Sequence, residues 1–174
     1  MQHSNRLSRL GGMPSPKERA LKKILMILCV LLLTGCDRAK PLGTDQYGTE
    51  IPLSLLAEQW LVINYWAVWC APCRKEVPEL NALSNVLREQ GVHVLGVNFD
   101  QLQGDELLAD SQQLGIAFTV LSADPAVRFK LPETRGLPAT YIINPQGQLV
   151  SQLRGEQNKQ SIIQALRKAG WSAP

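Results

Sequence analysis

Two cysteines separated by two residues, Cys70-Ala71-Pro72-Cys73, are the part of this chain best equipped for chemistry. A thiolate attacks disulfides and also binds soft metals, so the pair could be a dithiol–disulfide couple or half of a metal site. Its context favours the couple. The pair follows a β-rich apolar run, Leu61-Val62-Ile63-Asn64-Tyr65-Trp66, and opens a stretch with helical periodicity. At such a junction the first cysteine sits beside unpaired N–H groups and the positive end of the helix dipole, which favour its thiolate. The second, one turn along, can reach the first and resolve a mixed disulfide. Pro72 falls in the first helical turn, where its missing N–H is no loss. Cys70 is therefore assigned as nucleophile and Cys73 as resolving thiol. A purely structural disulfide across two residues would close a tight loop of little stabilising value. A metal would want further ligands, and the domain offers only His93, in mid-strand, and Cys36.

The elements that must hold this pair are legible along the chain. From Cys73 to Gln90, Val77, Leu80, Leu83, Val86 and Leu87 recur at three and four, the mark of an amphipathic helix. Gly91 stops it. Val92 to Phe99 reads as the next strand, Asp105 to Leu114 as a weaker helix, Phe118 to Leu121 as a short strand and Ala126 to Leu131 as a helical turn. Two further strands, Ala139 to Asn144 and Gln148 to Leu153, flank the turn Asn144-Pro145-Gln146-Gly147. Asn158 to Ala169 closes the chain as a helix. Strands alternating with helices, followed by a hairpin and a helix, predict a three-layer α/β/α sandwich on a mixed central sheet.

The 174 residues carry 18 Lys and Arg against 15 Asp and Glu. Six of the basic residues precede Cys36 with only Glu18 opposing them, which leaves 12 basic and 14 acidic residues for the rest. A slightly acidic domain is a poor binder of nucleic acid. The early bases end at Lys22-Lys23, and Ile24 to Leu33 is wholly apolar. Ten such residues fall well short of the roughly 20 a transmembrane helix needs, but suit the core of a secretory signal. Leu33-Thr34-Gly35-Cys36 then resembles the lipobox of bacterial lipoproteins, in which the leader is cut before the cysteine and that cysteine is acylated. We accordingly expect a signal peptide over 1–35, an acylated Cys36 and a polar tether over 36–50, with the domain proper at 51–174. Translation from Met13 would shorten only the leader. Asp37 resembles the residue that keeps many such lipoproteins at the inner membrane, which would place the domain in the periplasm.

The run Val62-Ile63-Asn64-Tyr65-Trp66-Ala67-Val68-Trp69-Cys70-Ala71-Pro72-Cys73, followed by Pro78, resembles the active-site segment of the thioredoxin superfamily. Arg74-Lys75-Glu76-Val77-Pro78 is similar to its TlpA-like and ResA-like membrane-tethered reductases. Gly136-Leu137-Pro138-Ala139-Thr140-Tyr141 is a second match, and the likeness covers roughly residues 50 to 170. It implies that Pro138 is cis and faces the cysteines, so that the Leu137 backbone pairs with an extended substrate. It implies too that Gln101 to Thr119 is the central insertion of TlpA-like proteins. Asn64 stands where thioredoxin has a buried Asp. Asp100 is a candidate proton shuttle for Cys73, with a surface carboxylate as the alternative, while Glu76 and Glu79 read as solvated helix charges. Trp66 is expected in the core and Trp69 as a shield over the cysteines.

The uncharged Ala71-Pro72 between the thiols points to a reductant. The resemblance then implies a transmembrane thiol protein as electron donor, protein disulfides as substrates, apocytochrome c among them, and no cofactor beyond the redox-active disulfide. Two other classes were weighed. A copper-chaperone module would want Met or His ligands near Cys70, and a thiol peroxidase a Pro-x-x-x-Thr/Ser-x-x-Cys centre; neither is present.

Overall fold

The computed structural model describes residues 41–173, together with Lys17. Its centre is strand β3, Trp60–Trp66, whose residues from Leu61 onward are all buried. Side chains alternate between the two faces of a strand, and here both faces are apolar. Val62 and Trp66 enter one core, and Leu61, Ile63 and Tyr65 the other. Full burial of a residue such as Ile63 is worth about 1.5–3 kcal/mol, which is why this run forms the inner strand. Two short strands, β1 (Gly43–Thr44) and β2 (Glu50–Ile51), precede it. Strands β4 (Val92–Asn98), β5 (Thr119–Leu121), β6 (Ala139–Ile143) and β7 (Leu149–Arg154) complete a five-stranded sheet of order β5-β4-β3-β6-β7. β4 runs parallel to β3 and β5 to β4, while β6 and β7 are antiparallel to their inner neighbours.

Helices α1 (Ala71–Leu87), α2 (Gly104–Gln113), the short α3 (Ala126–Phe129) and α4 (Lys159–Lys168) cover the sheet. Leu80 and Leu83 of α1, Leu107 of α2 and Ile162 and Leu166 of α4 share the core cluster of Val62 and Trp66. Phe129 of α3, with Leu42 and Leu56, closes the opposite face. This is the three-layer architecture read from the sequence. α1 passes through a 3-10 turn to Gly91, whose φ of 75° suits a residue without Cβ. α4 starts in a capping box between Asn158 and Ser161. The central insertion is fastened by Asn81 of α1, whose amide donates to Gly115 O at 2.8 Å and accepts from Ala117 N at 2.8 Å.

The tether expected over 36–50 needs correction from residue 42 onward. Leu42 is 7% exposed, β1 and β2 pair antiparallel, and Asp45 bridges to Leu121. Gln46 spans the edge of β5, donating to Phe118 O at 3.2 Å and accepting from Val120 N at 2.8 Å. Ser122 N donates to Thr44 O. An edge strand has backbone groups to satisfy, and this hairpin satisfies those of β5, so it belongs to the domain. Cys36 and, apart from Lys17, the leader over 1–35 lie outside the described residues.

Gly96 of β4 makes room for the Trp66 indole. A Cβ there would stand 2.9 Å from Trp66 Nε1 and 3.0 Å from a Phe118 ring carbon. Gly96→Ala should therefore cost about 1–3 kcal/mol through overpacking, read as a lower urea midpoint with an unchanged m-value.

Candidate active site

β3 delivers the chain to the sheet edge at which β4 also ends, with Trp66 in register with Asn98. In open α/β sheets this edge, beyond the carboxyl ends of parallel strands, is where sites form. A tight turn follows, closed by Cys70 N donating to Ala67 O at 3.1 Å. Cys70 then caps α1: its φ and ψ are −80° and 99°, and its sulfur accepts from Cys73 N at 3.2 Å. Pro72 sits inside the first turn, where no N–H is needed. Cys70 and Cys73 are joined as a disulfide with their Cα atoms 5.3 Å apart. Cys70 is 4% exposed and Cys73 fully buried. No acidic residue lies in the first turn of α1, so the N–H groups and dipole face the sulfur uncompensated. On reduction the same groups favour a Cys70 thiolate.

The second sequence motif arrives at this edge from the other side. Ala139 of β6 is in register with Tyr65, which sets the preceding Pro138 beyond the end of β3. Pro138 is buried, its bond to Leu137 is cis, and its carbonyl accepts from Gly155 N at 2.9 Å. Leu137 is half-buried and packs on both core clusters, one of which contains the cysteines.

Trp69 is 62% exposed. Its ring meets Phe99 edge-to-face at 6.2 Å, and its Nε1 donates to Asp100 Oδ2 at 2.9 Å. The apolar cluster enclosing the cysteines holds Trp66, Ala67 and Val77, with Val68, Leu102 and Leu137 at its margin. Trp69 is thus tied to Asp100 and Phe99, just beyond the end of β4. Asp100 is exposed and its carboxylate is engaged with Trp69, which is the surface placement weighed against a proton shuttle.

The carboxylate inside the site is Glu76, which the sequence reading had placed in solvent. It is 1% exposed. Asn64, itself fully buried, donates to Glu76 Oε1 at 2.7 Å and to Thr140 Oγ1 at 3.1 Å, and Gln157 N donates to Glu76 Oε2 at 2.9 Å. Burial pushes its carboxyl up to about 7, against the pull of the Gln157 and Asn64 hydrogen bonds, with the Glu156 charge adding to the rise. The signal was periodicity: Glu76 shares its helix face with Cys73, Val77, Leu80, Leu83 and Leu87, all buried. Glu79 is exposed as expected, yet accepts from Lys159 N at 3.1 Å, so both acids of α1 hold the start of α4. Among the described residues, no group of three His, Cys, Asp or Glu side chains could hold a metal. His93 is half-buried in β4, and burial holds its imidazole below the usual range.

A carboxyl raised on folding stabilises the native state while both states keep the proton, and that contribution is lost as pH climbs through the folded value. Wild-type stability should therefore decline by about 2–3 kcal/mol between pH 4.5 and 8 on account of Glu76. Glu76→Gln should flatten this decline in denaturant titrations across that range.

A family model described as the AhpC/TSA family matches residues 37–152. The chain is 33% identical over 129 residues to the thiol-disulfide oxidoreductase ResA of Bacillus anthracis, a span covering 72% of each chain. It is 33% identical over 123 residues to the thiol:disulfide interchange protein HelX of Rhodobacter capsulatus, covering 68% of this chain and 64% of that one. In fold it is similar to a putative thiol:disulfide interchange protein DsbE from Chlorobium tepidum, with a TM-score of 0.59 and 24% identity over 76% of this chain and 95% of that one. StoA from Bacillus subtilis gives a TM-score of 0.58 at 20% identity, covering 73% and 98%. With two thiols capping a helix at the edge of a thioredoxin-like sheet, the chain belongs to the AhpC/TSA family and, within it, to the thiol-disulfide oxidoreductases of the ResA type.

Proposed function

We propose that this oxidoreductase works as a reductant of protein disulfides, held by an acylated Cys36 at the inner membrane with its domain in the periplasm. The observation that carries the chemistry is Cys70 at the cap of α1, its sulfur receiving the Cys73 N–H. In the reduced enzyme the Cys70 thiolate attacks one sulfur of a client disulfide, forms a mixed disulfide and expels a client thiolate. Cys73 then gives up its proton and attacks Cys70. The second client thiolate leaves with the electron pair, so the client is reduced by two electrons and the enzyme is left as the oxidised Cys70–Cys73 disulfide. Glu76, one turn beyond Cys73 and titrating near neutrality, is the proton acceptor for that step, in place of Asp100. Leu137 and Pro138 offer the backbone edge along which an extended client lies.

The uncharged Ala71-Pro72 between the thiols supports the reducing direction. Used that way in an oxidising compartment, the pair must be recharged, and a transmembrane thiol protein is the donor whose chemistry fits. Apocytochrome c, which needs free cysteines for haem attachment, is a fitting client, and no cofactor beyond the disulfide is called on. Ala67 stands three residues before Cys70, where a peroxide-reducing centre would carry a hydroxyl. Among the described residues no helix is long and apolar enough to cross a membrane; the anchor proposed here is the acylated Cys36.

The deciding experiment is the reduction potential of the full chain in glutathione and dithiothreitol buffers. A value near roughly −270 mV supports a reductase, one near roughly −120 mV reverses the direction, and no redox-active pair removes the reading altogether. Cys70→Ser should lower disulfide reduction by at least about 100-fold, while Cys73→Ser should accumulate a mixed disulfide visible on non-reducing gels. Cys36→Ser should abolish palmitate labelling and release the chain from membranes.

A further inference from the structure

The redox pair is nearly buried, so a client must first be held by its surroundings, and the surface beside Cys70 has a definite chemistry. Trp69 and Phe99 are 62% and 38% exposed. Their edge-to-face contact, with the Trp69 N–H on Asp100, leaves an aromatic ledge of set orientation ending in a carboxylate. Donating its N–H to an anion makes the indole more electron-rich. Among the described residues the one ion pair is Arg135 with Glu133, so the charge of Asp100 is not cancelled. Arg74 and Lys75, the cations nearest Trp69 in sequence, form no ion pair with Asp100, nor does Arg88, the cation nearest Asp100 itself.

The wider setting has the same sign. Between Arg88 and Arg128 the chain has no Lys or Arg and six acids: Glu89, Asp100, Asp105, Glu106, Asp110 and Asp124. A cleft of about 310 Å³ continues from Gln101 and Leu102 to Asp124 at the ends of β4 and β5. An aliphatic client side chain would gain the rings but strip water from Asp100, and an anionic one would be repelled. A lysine or arginine gains both, through cation–π attraction to the rings and Coulomb attraction to the carboxylate.

Resting on the reading that the chain reduces protein disulfides, we propose that Trp69, Phe99 and Asp100 dock a basic side chain of the client polypeptide, carried within a few residues of the cysteine that Cys70 attacks. Asp100 is here a client-binding and positioning residue for Trp69. The enzyme's substrates are then disulfides in basic sequence, and the acidic stretch steers them to the site.

The test uses the reduced full chain and three oxidised peptides identical except for Lys, Gln or Glu beside one cysteine. The Lys peptide should be reduced with a kcat/KM about tenfold above that of the Glu peptide at low ionic strength, chiefly through KM, and the ratio should shrink as salt is raised. Asp100→Asn and Trp69→Leu should each bring the ratio to within about twofold, and Asp100→Asn should also weaken its salt dependence. Reduction of all three peptides at similar rates by the wild type, or a preference that survives both substitutions, overturns the docking ledge and leaves the reductase standing. Failure to reduce any of the peptides overturns both.

Discussion

The interaction on which the rest of this structure depends is the one between the Cys70 sulfur and the open amino end of α1. It requires a strand to end and a helix to begin within four residues, at a point where the sulfur is sheltered yet reachable. The surrounding fold supplies those conditions. β3 is buried on both faces and cannot shift, since a slip of one residue would turn every side chain to the wrong core. α1 is pressed to the sheet by Val77, Leu80, Leu83 and Leu87, which fixes the direction of its axis and hence of its dipole. The neighbouring strands then bring Phe99, just after β4, and Pro138, just before β6, to the same end of the sheet.

Polarity in the core is concentrated on the same side of the sheet. Asn64 Oδ1, Trp66 Nε1 and Asn98 Nδ2 are buried without a hydrogen-bond partner among the described residues. Asn64 and Trp66 lie on one face of β3, and Asn98 is the register partner of Trp66. Such groups cost free energy. Their gathering beneath α1, with the raised carboxyl of Glu76, is the pattern of a region shaped for reactivity at the expense of stability. On the opposite face, the Tyr65 and Tyr141 hydroxyls have partners in Asp124 and Thr134.

Most of the architecture was legible in the sequence because its signals are local and repeated. The periods of β3, α1 and β4, the turn at Asn144 to Gly147 and the cap at Asn158 each lie within a few residues of what they specify. The hairpin of β1 and β2 was missed because strands of two residues carry no periodicity. Its main tie, Gln46, acts on a strand more than 70 residues away. Glu76 was misplaced for a related reason: a charged side chain reads as solvated until its partners are known, and Asn64 and Gln157 come from distant elements. The cis bond before Pro138 was expected only through family likeness, since nothing near Leu137-Pro138 encodes it.

The clasp between α1 and the start of α4 also sets an order of events. The partner of Glu76 lies 81 residues further along the chain, so the nascent polypeptide displays both thiols long before the backbone N–H that confines the acid exists. Until the closing 18 residues, from Gln157 on, have arrived and folded back, one oxygen of the Glu76 carboxyl lacks its partner. The confinement of that acid is thus among the last features of the site that synthesis can complete.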